Sequence, residues 1–151
     1  MTGRSGLAVI AVAGLLPWVV VFGERGSMTL VFAFGLLNPD AVHLTWLWSY
    51  LTTLTRGVPQ SLLAWPVATL LWVGALGSGL AGVATNREDR RVTGGLLVLA
   101  GGSLLPVALT VGRPASITAV PVGTVLLWAI GWWRYGDALR RIPAGRRVAE
   151  R

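Results

Sequence analysis

The sequence predicts an all-α integral membrane protein, with four transmembrane helices and one extracytoplasmic amphipathic helix lying in the interface. Three observations predict it. Of 151 residues, 54% are hydrophobic and only 13% are charged, about half the charged share of an average globular domain. Residues 5–23, 62–84, 92–111 and 115–133 contain no Asp, Glu, Lys, Arg or His. Each comes close to the ~20 residues that a helix rising ~1.5 Å per residue needs to cross a ~30 Å hydrocarbon core. The arginines, finally, gather at the ends of these stretches rather than within them.

The net charge of +7 comes from thirteen arginines, without a lysine, set against six acids. A nucleic-acid domain would carry such charge on one solvated face beside a soluble core. Here it flanks apolar runs, so the expected partner is the lipid bilayer and nucleic acid is not expected. There is no cysteine, which removes disulfides, thiolate metal sites and cysteine nucleophiles. His43 and two methionines leave too few ligands for a histidine-built metal site or a bis-histidine haem, and no cofactor is expected.

Orientation follows from the arginines near span ends. With the N-terminus inside, Arg4, Arg87, Arg90, Arg91, Arg134, Arg140, Arg141, Arg146, Arg147 and Arg151 are cytoplasmic, and only Arg25, Arg56 and Arg113 lie outside. The chain is then one membrane domain with both termini cytoplasmic, a cell-membrane location, an outer segment over 24–61 and an arginine-rich tail over 134–151. Trp128, Trp132, Trp133 and Tyr135 form an aromatic belt before the cytoplasmic arginines, and Trp18 and Trp65 serve the outer interface. Arg4 followed by an apolar run also fits a secretory signal sequence; the length of the run and Pro17-Trp18 favour a retained helix.

In the outer segment, Asn38-Pro39-Asp40 is a helix-start signal, with Asn38 capping and Pro39 in the first helical position. It predicts a helix over 39–55 on which Leu44, Leu47, Trp48, Leu51 and Leu54 make an apolar stripe. At this length, and carrying Asp40, His43 and several hydroxyls, the helix suits the interface plane better than a crossing. A five-span alternative, with this segment crossing, exchanges Arg4 for Arg25 and survives charge counting; length and polarity speak against it. Residues 28–37 (MTLVFAFGLL) are ambiguous between a strand and a short re-entrant or interfacial helix, and the latter is favoured.

The block TRGVPQSLLAWP over 55–66, with GLLNPD over 35–40 upstream, resembles a small multi-pass membrane protein family of haloarchaea. Arginine without lysine agrees with a GC-rich halophile. The resemblance implies a multi-pass topology and carries over no catalytic or ligand residue.

Gly74, Ser78 and Gly82 recur every four residues and define one small-residue face for helix packing, within the chain or in a dimer seam. Gly94, Gly95, Gly101 and Gly102 crowd the third span. Each span holds one proline, Pro17, Pro66, Pro106 and Pro121, all in the outer half, which predicts a bundle tight inside and splayed outside. Asp40, His43 and Arg56, with Trp46 and Trp48, are the candidate outer-face interaction site. Their structural reading is a helix-start carboxylate, a solvated histidine and a snorkelling arginine.

No nucleophile-base-orienter set, Walker loop or paired carboxylate is present, and the stretches lack the intramembrane acid or base of a proton relay. The expected function is therefore non-enzymatic: an accessory, assembly or scaffold subunit meeting a membrane-protein partner or itself. A lipid or hydrophobic-ligand binder, using an outward-facing groove beneath the 39–55 helix, is the alternative. An integral membrane enzyme built on Asp40 and His43 comes third.

Overall fold

Helix α1 (Gly3–Leu15) runs through an apolar stretch and stops before Pro17, because the residue preceding a proline is pushed out of the helical region. The β-branched run that follows, Val19-Val20-Val21, extends instead of continuing the helix, and becomes β1 (Val19–Phe22). These features belong to a computed structural model that describes residues 3–53, 63–85, 87–114 and 116–140.

From β1 a tight loop, with Gly26 at φ +79° and Gly23 N–H donating to the Ser27 carbonyl at 2.8 Å, returns the chain into β2 (Met28–Val31). A positive φ there suits a residue without Cβ. A three-residue turn, Phe32-Ala33-Phe34, leads to β3 (Gly35–Asn38), and a four-residue turn to β4 (His43–Trp46). Helix α2 (Leu47–Thr53) follows at once. Helices α3 (Ala64–Thr85) and α4 (Arg90–Val111) form an antiparallel hairpin. The chain then crosses back as β5 (Thr118–Val120) and ends its described part in α5 (Val122–Arg140). The five strands form one antiparallel sheet in the order β4-β3-β2-β1-β5, so β1 is held between β2 and a strand a hundred residues later, with Val20 opposite Val120.

Helix α4 is central, packing against α3 on one side and α5 on the other, and α1 closes the bundle against α3 and α5. Leu97, Leu104, Ile10, Leu127 and Trp18 are fully buried between them. Glycines permit the closest approaches. A Cβ on Gly101 would lie 2.7 Å from the Trp128 ring, and one on Gly123 2.8 Å from Trp18 Cα. The polar groups inside are paired: Ser78 Oγ and Thr93 Oγ1 are 2.8 Å apart, Thr124 Oγ1 donates to the Gly101 carbonyl at 2.8 Å, and Trp72 Nε1 donates to the Ile10 carbonyl at 2.9 Å.

The all-α, four-span expectation is thus corrected to a mixed α/β fold. The stretch 5–23 divides at Pro17 into α1 and β1, and the stretch 115–133 begins as β5, so that α5 starts only at Val122. By length and composition two helices, α3 and α4, suffice to cross a membrane among the described residues. The 39–55 interfacial helix is also overturned, since its first half is the β3–β4 turn and strand β4, and among the described residues of this segment helix is found only over Leu47–Thr53. Residues 28–37, expected as a re-entrant helix, form β2, a turn and most of β3. Trp18 and Trp65 are buried and do not serve an outer interface. Of the four prolines, Pro17 ends α1, Pro121 precedes α5 and Pro66 occupies the first turn of α3; Pro106 lies inside α4. Three of them mark helix ends rather than loosened helix interiors, which removes the reason given for an outward splay.

Candidate interaction site

The bundle has two chemically different ends. Arg4, Arg87, Arg90, Arg91, Arg134 and Arg140 lie at the end where α1 and α4 begin and α3 and α5 finish; the sheet occupies the other. At the arginine end Asp89 caps α4, its carboxylate accepting from Arg91 N at 3.1 Å and Val92 N at 3.4 Å. Tyr135 donates to Glu88 Oε1 at 2.9 Å, Arg134 Nη2 donates to Ser5 Oγ at 3.3 Å, and Arg90 donates to the Arg134 carbonyl. Burial, and then the hydrogen bond to Glu88, push the Tyr135 phenol up to about 12, so it remains a donor at neutral pH. These contacts tie the α3–α4 connection to α5 and α1. Sequence reasoning missed this cluster, because its members come from three distant segments.

At the sheet end the described members of the predicted site fall on the β3–β4 turn (Asp40), strand β4 (His43, Trp46) and helix α2 (Trp48). Asn38 Oδ1 accepts from Asp40 N at 3.0 Å and Ala41 N at 3.4 Å, which is the capping chemistry the sequence suggests, used here to close a hairpin turn. Asp40 Oδ2 accepts from Met28 N at 3.1 Å, so its carboxylate fastens the turn to β2. His43 pairs with Asn38 across β3–β4 and is exposed. Trp46 packs on Phe34 with ring centroids 6.0 Å apart, and Trp48 is exposed. Arg56 lies outside the described residues. The structure therefore joins Trp46 to the sheet surface and gives the Asp40 carboxylate a structural bond to β2. The groove expected beneath a 39–55 helix has lost its roof: in that place Leu47 and Tyr50 pack against the core, Tyr50 edge-on to Trp65 at 5.4 Å.

Strand register sorts the sheet into two faces, since alternate side chains point oppositely. Val19, Val21, Val31, Leu36 and Ala119 fall on one face and all pack into the core. The other face carries a row made by Leu44, Leu37, Leu30, Val20 and Val120, opposite one another in adjacent strands, with Phe22 and Trp46 beside it. An antiparallel sheet with one face in water alternates apolar with polar residues; this one is apolar on both faces. The sequence signal was present in VVVF and MTLV, which lack polar alternation, but such runs read equally well as helix. Among the described residues no group of three His, Cys, Asp or Glu is placed to hold a metal ion.

The fold and its surfaces define a helical bundle, apolar on its outside, capped at one end by a small sheet and basic at the other. The chain belongs to the DUF8050 family, a domain of unknown function whose match spans residues 2–144. No curated protein matches it.

Proposed function

We propose that this protein is a membrane-embedded, non-enzymatic accessory or scaffold subunit. In this reading α3 and α4 cross the bilayer as an antiparallel hairpin, α1 and α5 flank it, and both termini lie with the arginines on the cytoplasmic side of the cell membrane. One observation carries the reading: polarity is inverted relative to a soluble domain. Leu70, Leu109 and Val125 are 70%, 70% and 69% exposed on the outside of α3, α4 and α5, while hydroxyls and indole N–H groups are hydrogen-bonded inside. The core helix of a soluble protein is mostly buried, whereas only 22% of the apolar window of α3 is. Helix interfaces built from Gly, Ser and Thr with large aliphatics facing outward match association in lipid, where close packing and interhelical hydrogen bonds hold helices together. The second apolar face of the sheet supports the partner half of the proposal, because an exposed apolar patch marks a contact surface. The multi-pass haloarchaeal family that the sequence resembles fits the same reading.

Retention in the membrane pellet after alkaline carbonate extraction tests the first half. Cysteines introduced at Ser5 and Glu88 are expected to be shielded from an impermeant thiol reagent in intact cells, and one at Ser27 to react; reaction at Glu88 would overturn the orientation. Purification in mild detergent is expected to retain a stoichiometric membrane-protein partner or a second copy.

A second reading has its own observation. A crevice of about 300 Å³ between α1 and α5 is lined entirely by apolar side chains, among them Val9, Val12, Leu16, Leu126 and Ile130. It suits an acyl chain, and photolabelling with a diazirine-bearing phospholipid tests whether one is held there.

A further inference from the structure

We infer that the crevice between α1 and α5 holds one acyl chain of an anionic phospholipid, whose headgroup phosphate is bound at the arginine end of the crevice by Arg134, with Arg4 beside it. The inference rests on the second reading above, which places an acyl chain in the crevice, and adds what that chain is attached to.

Both walls of the crevice run on to polar groups at the same end. On α5 the wall is Leu126 and Ile130, and Arg134 is the next residue at the same spacing of four. On α1 the wall is Val9, Val12 and Leu16, and the stripe reaches Ser5 one turn earlier, at i, i+4, i+7 and i+11. Residues so spaced share a helix face. Arg134 and Ser5 therefore continue the two faces that enclose the apolar space, and they meet: Arg134 Nη2 donates to Ser5 Oγ at 3.3 Å. Gly6 permits the crossing, since a Cβ there would lie 3.1 Å from Arg134 Nη2, so the guanidinium rests close against the α1 backbone. The other end of the crevice, at Leu16 and Leu126, adjoins Pro17 and the sheet and brings no charge.

The shape suits a chain that enters from the side. Ala13 and Ile130, 1% and 8% exposed, form the floor, while Val12 and Leu16, 55% and 42% exposed, leave the crevice open where the embedded bundle meets lipid. From Val9 to Leu16 it extends ~10 Å along α1 at ~1.5 Å per residue. About 300 Å³ is at the small end of ligand sites, which suits one chain of a two-chain lipid with the other left in the bilayer. A chain lying along the crevice with its polar end toward Ser5 brings the phosphate to Arg134.

The charge at this end selects the headgroup. The Ser5 hydroxyl holds the Arg134 guanidinium in place without neutralising it, and a guanidinium offers a planar fork of donors that matches phosphate. A group already held in position loses less freedom on binding. Arg4 stands on α1 one turn before Ala8, which also lines the crevice. Among the described residues six arginines lie at this end of the bundle against the carboxylates of Glu88, Asp89 and Asp137. Glu88 already accepts from Tyr135, and Asp89 from the first amides of α4. Asp137 stands one turn beyond Arg134, between it and Arg140. The excess of positive charge favours an anionic headgroup over one that carries an ammonium group, and anionic lipid is what the cytoplasmic leaflet supplies.

The test uses the full-length protein in nanodiscs with phosphatidylglycerol or phosphatidylcholine, each with the same diazirine-bearing chain. Trypsin separates residues 5–25, which contain α1, from residues 57–87, which contain α3. Outward-facing Leu70 and Leu80 of α3 report contact with bulk lipid, so the ratio of label on the two fragments reports the crevice. That ratio is expected to be about five-fold higher with phosphatidylglycerol. Arg134→Gln is expected to bring the two lipids level, whereas Arg113→Gln, at the far end of α4, leaves the preference intact. Ala8→Phe, which fills the crevice, is expected to lower the ratio with both lipids. Equal ratios for the two lipids in the unmodified protein, or a preference that survives Arg134→Gln, overturn the inference even when Ala8→Phe shows that a chain occupies the crevice. If Ala8→Phe changes the ratio with neither lipid, the acyl-chain reading itself is overturned.

Discussion

Trp65 Nε1 donates to the carbonyl of Phe32 at 2.9 Å, tying the first turn of α3 to the β2–β3 turn 33 residues earlier. Four residues on, Thr69 Oγ1 donates to the adjacent carbonyl of Ala33, also at 2.9 Å. The three-residue turn leaves the Phe32 and Ala33 carbonyls in need of donors from elsewhere, and residues i and i+4 of a helix share a face, so one face of α3 supplies both. Trp65→Phe keeps most of the ring and removes the donor. It is expected to cost about 1–3 kcal/mol, the penalty of a buried acceptor left unmade, measured as a lowered unfolding midpoint in detergent. A loss below the error of that measurement would mean that the sheet is held by packing alone.

The small-residue face of α3 is not uniform. A Cβ on Gly82 would meet Glu88 Cα at 2.7 Å, whereas one on Gly74 meets the Leu96 side chain at an ordinary 3.5 Å and one on Gly77 meets nothing within 4 Å. Gly82→Ala is therefore expected to destabilise by about 1–3 kcal/mol, as overpacking does. Gly77→Ala is expected to be neutral or to stabilise by up to about 1 kcal/mol through helix propensity. Thermal unfolding of the two variants side by side checks the difference in sign.

Val42 closes the β3–β4 turn at φ +46° with its side chain in the open. A β-branched residue in the left-handed region is strained, by about 1–2 kcal/mol relative to glycine. Val42→Gly is expected to stabilise the hairpin by up to about that amount, read as a raised unfolding midpoint; Val42→Ile should leave it unchanged.

Tyr135 offers a test by pH. It lies past the apolar part of α5, beside Arg134, and its folded pKa is raised from 10.0 to about 12 by burial and by Glu88. A raised folded pKa means that the linked stability is complete below the unfolded value and is lost as pH climbs through the folded one. Stability is therefore expected to be insensitive to this group below pH 10.0 and to fall between 10.0 and about 12. Tyr135→Phe should remove that alkaline component when unfolding is followed across the range.

Parts of this architecture were legible in local chemistry. The charge-free stretches 62–84 and 92–111 are where α3 and α4 form, because a helix closes its hydrogen bonds within its own segment and needs only length and an apolar environment. Among the described residues Arg4, Arg87, Arg90, Arg91, Arg134 and Arg140 share one end of the bundle, and Asn38 accepts the backbone amides that its place before Pro39-Asp40 implied. The same capping chemistry serves a helix start and a hairpin turn, however, and Asn38 alone does not distinguish them.

What the sequence by itself determined is an apolar bundle with one basic end and glycine-lined helix contacts. Only the tertiary structure decided that Val19–Phe22 and Thr118–Val120 are strands, and that Trp18 and Trp65 are core residues instead of interface anchors. The physical reason is where the hydrogen bonds go. Every backbone group away from water must be paired, and a strand's partners lie elsewhere in the chain, as Val20 finds Val120 and Trp46 finds Gly35. A run such as VVVF is equally apolar as a helix or a strand, so its state is fixed only when the segments that complete its ladder arrive beside it.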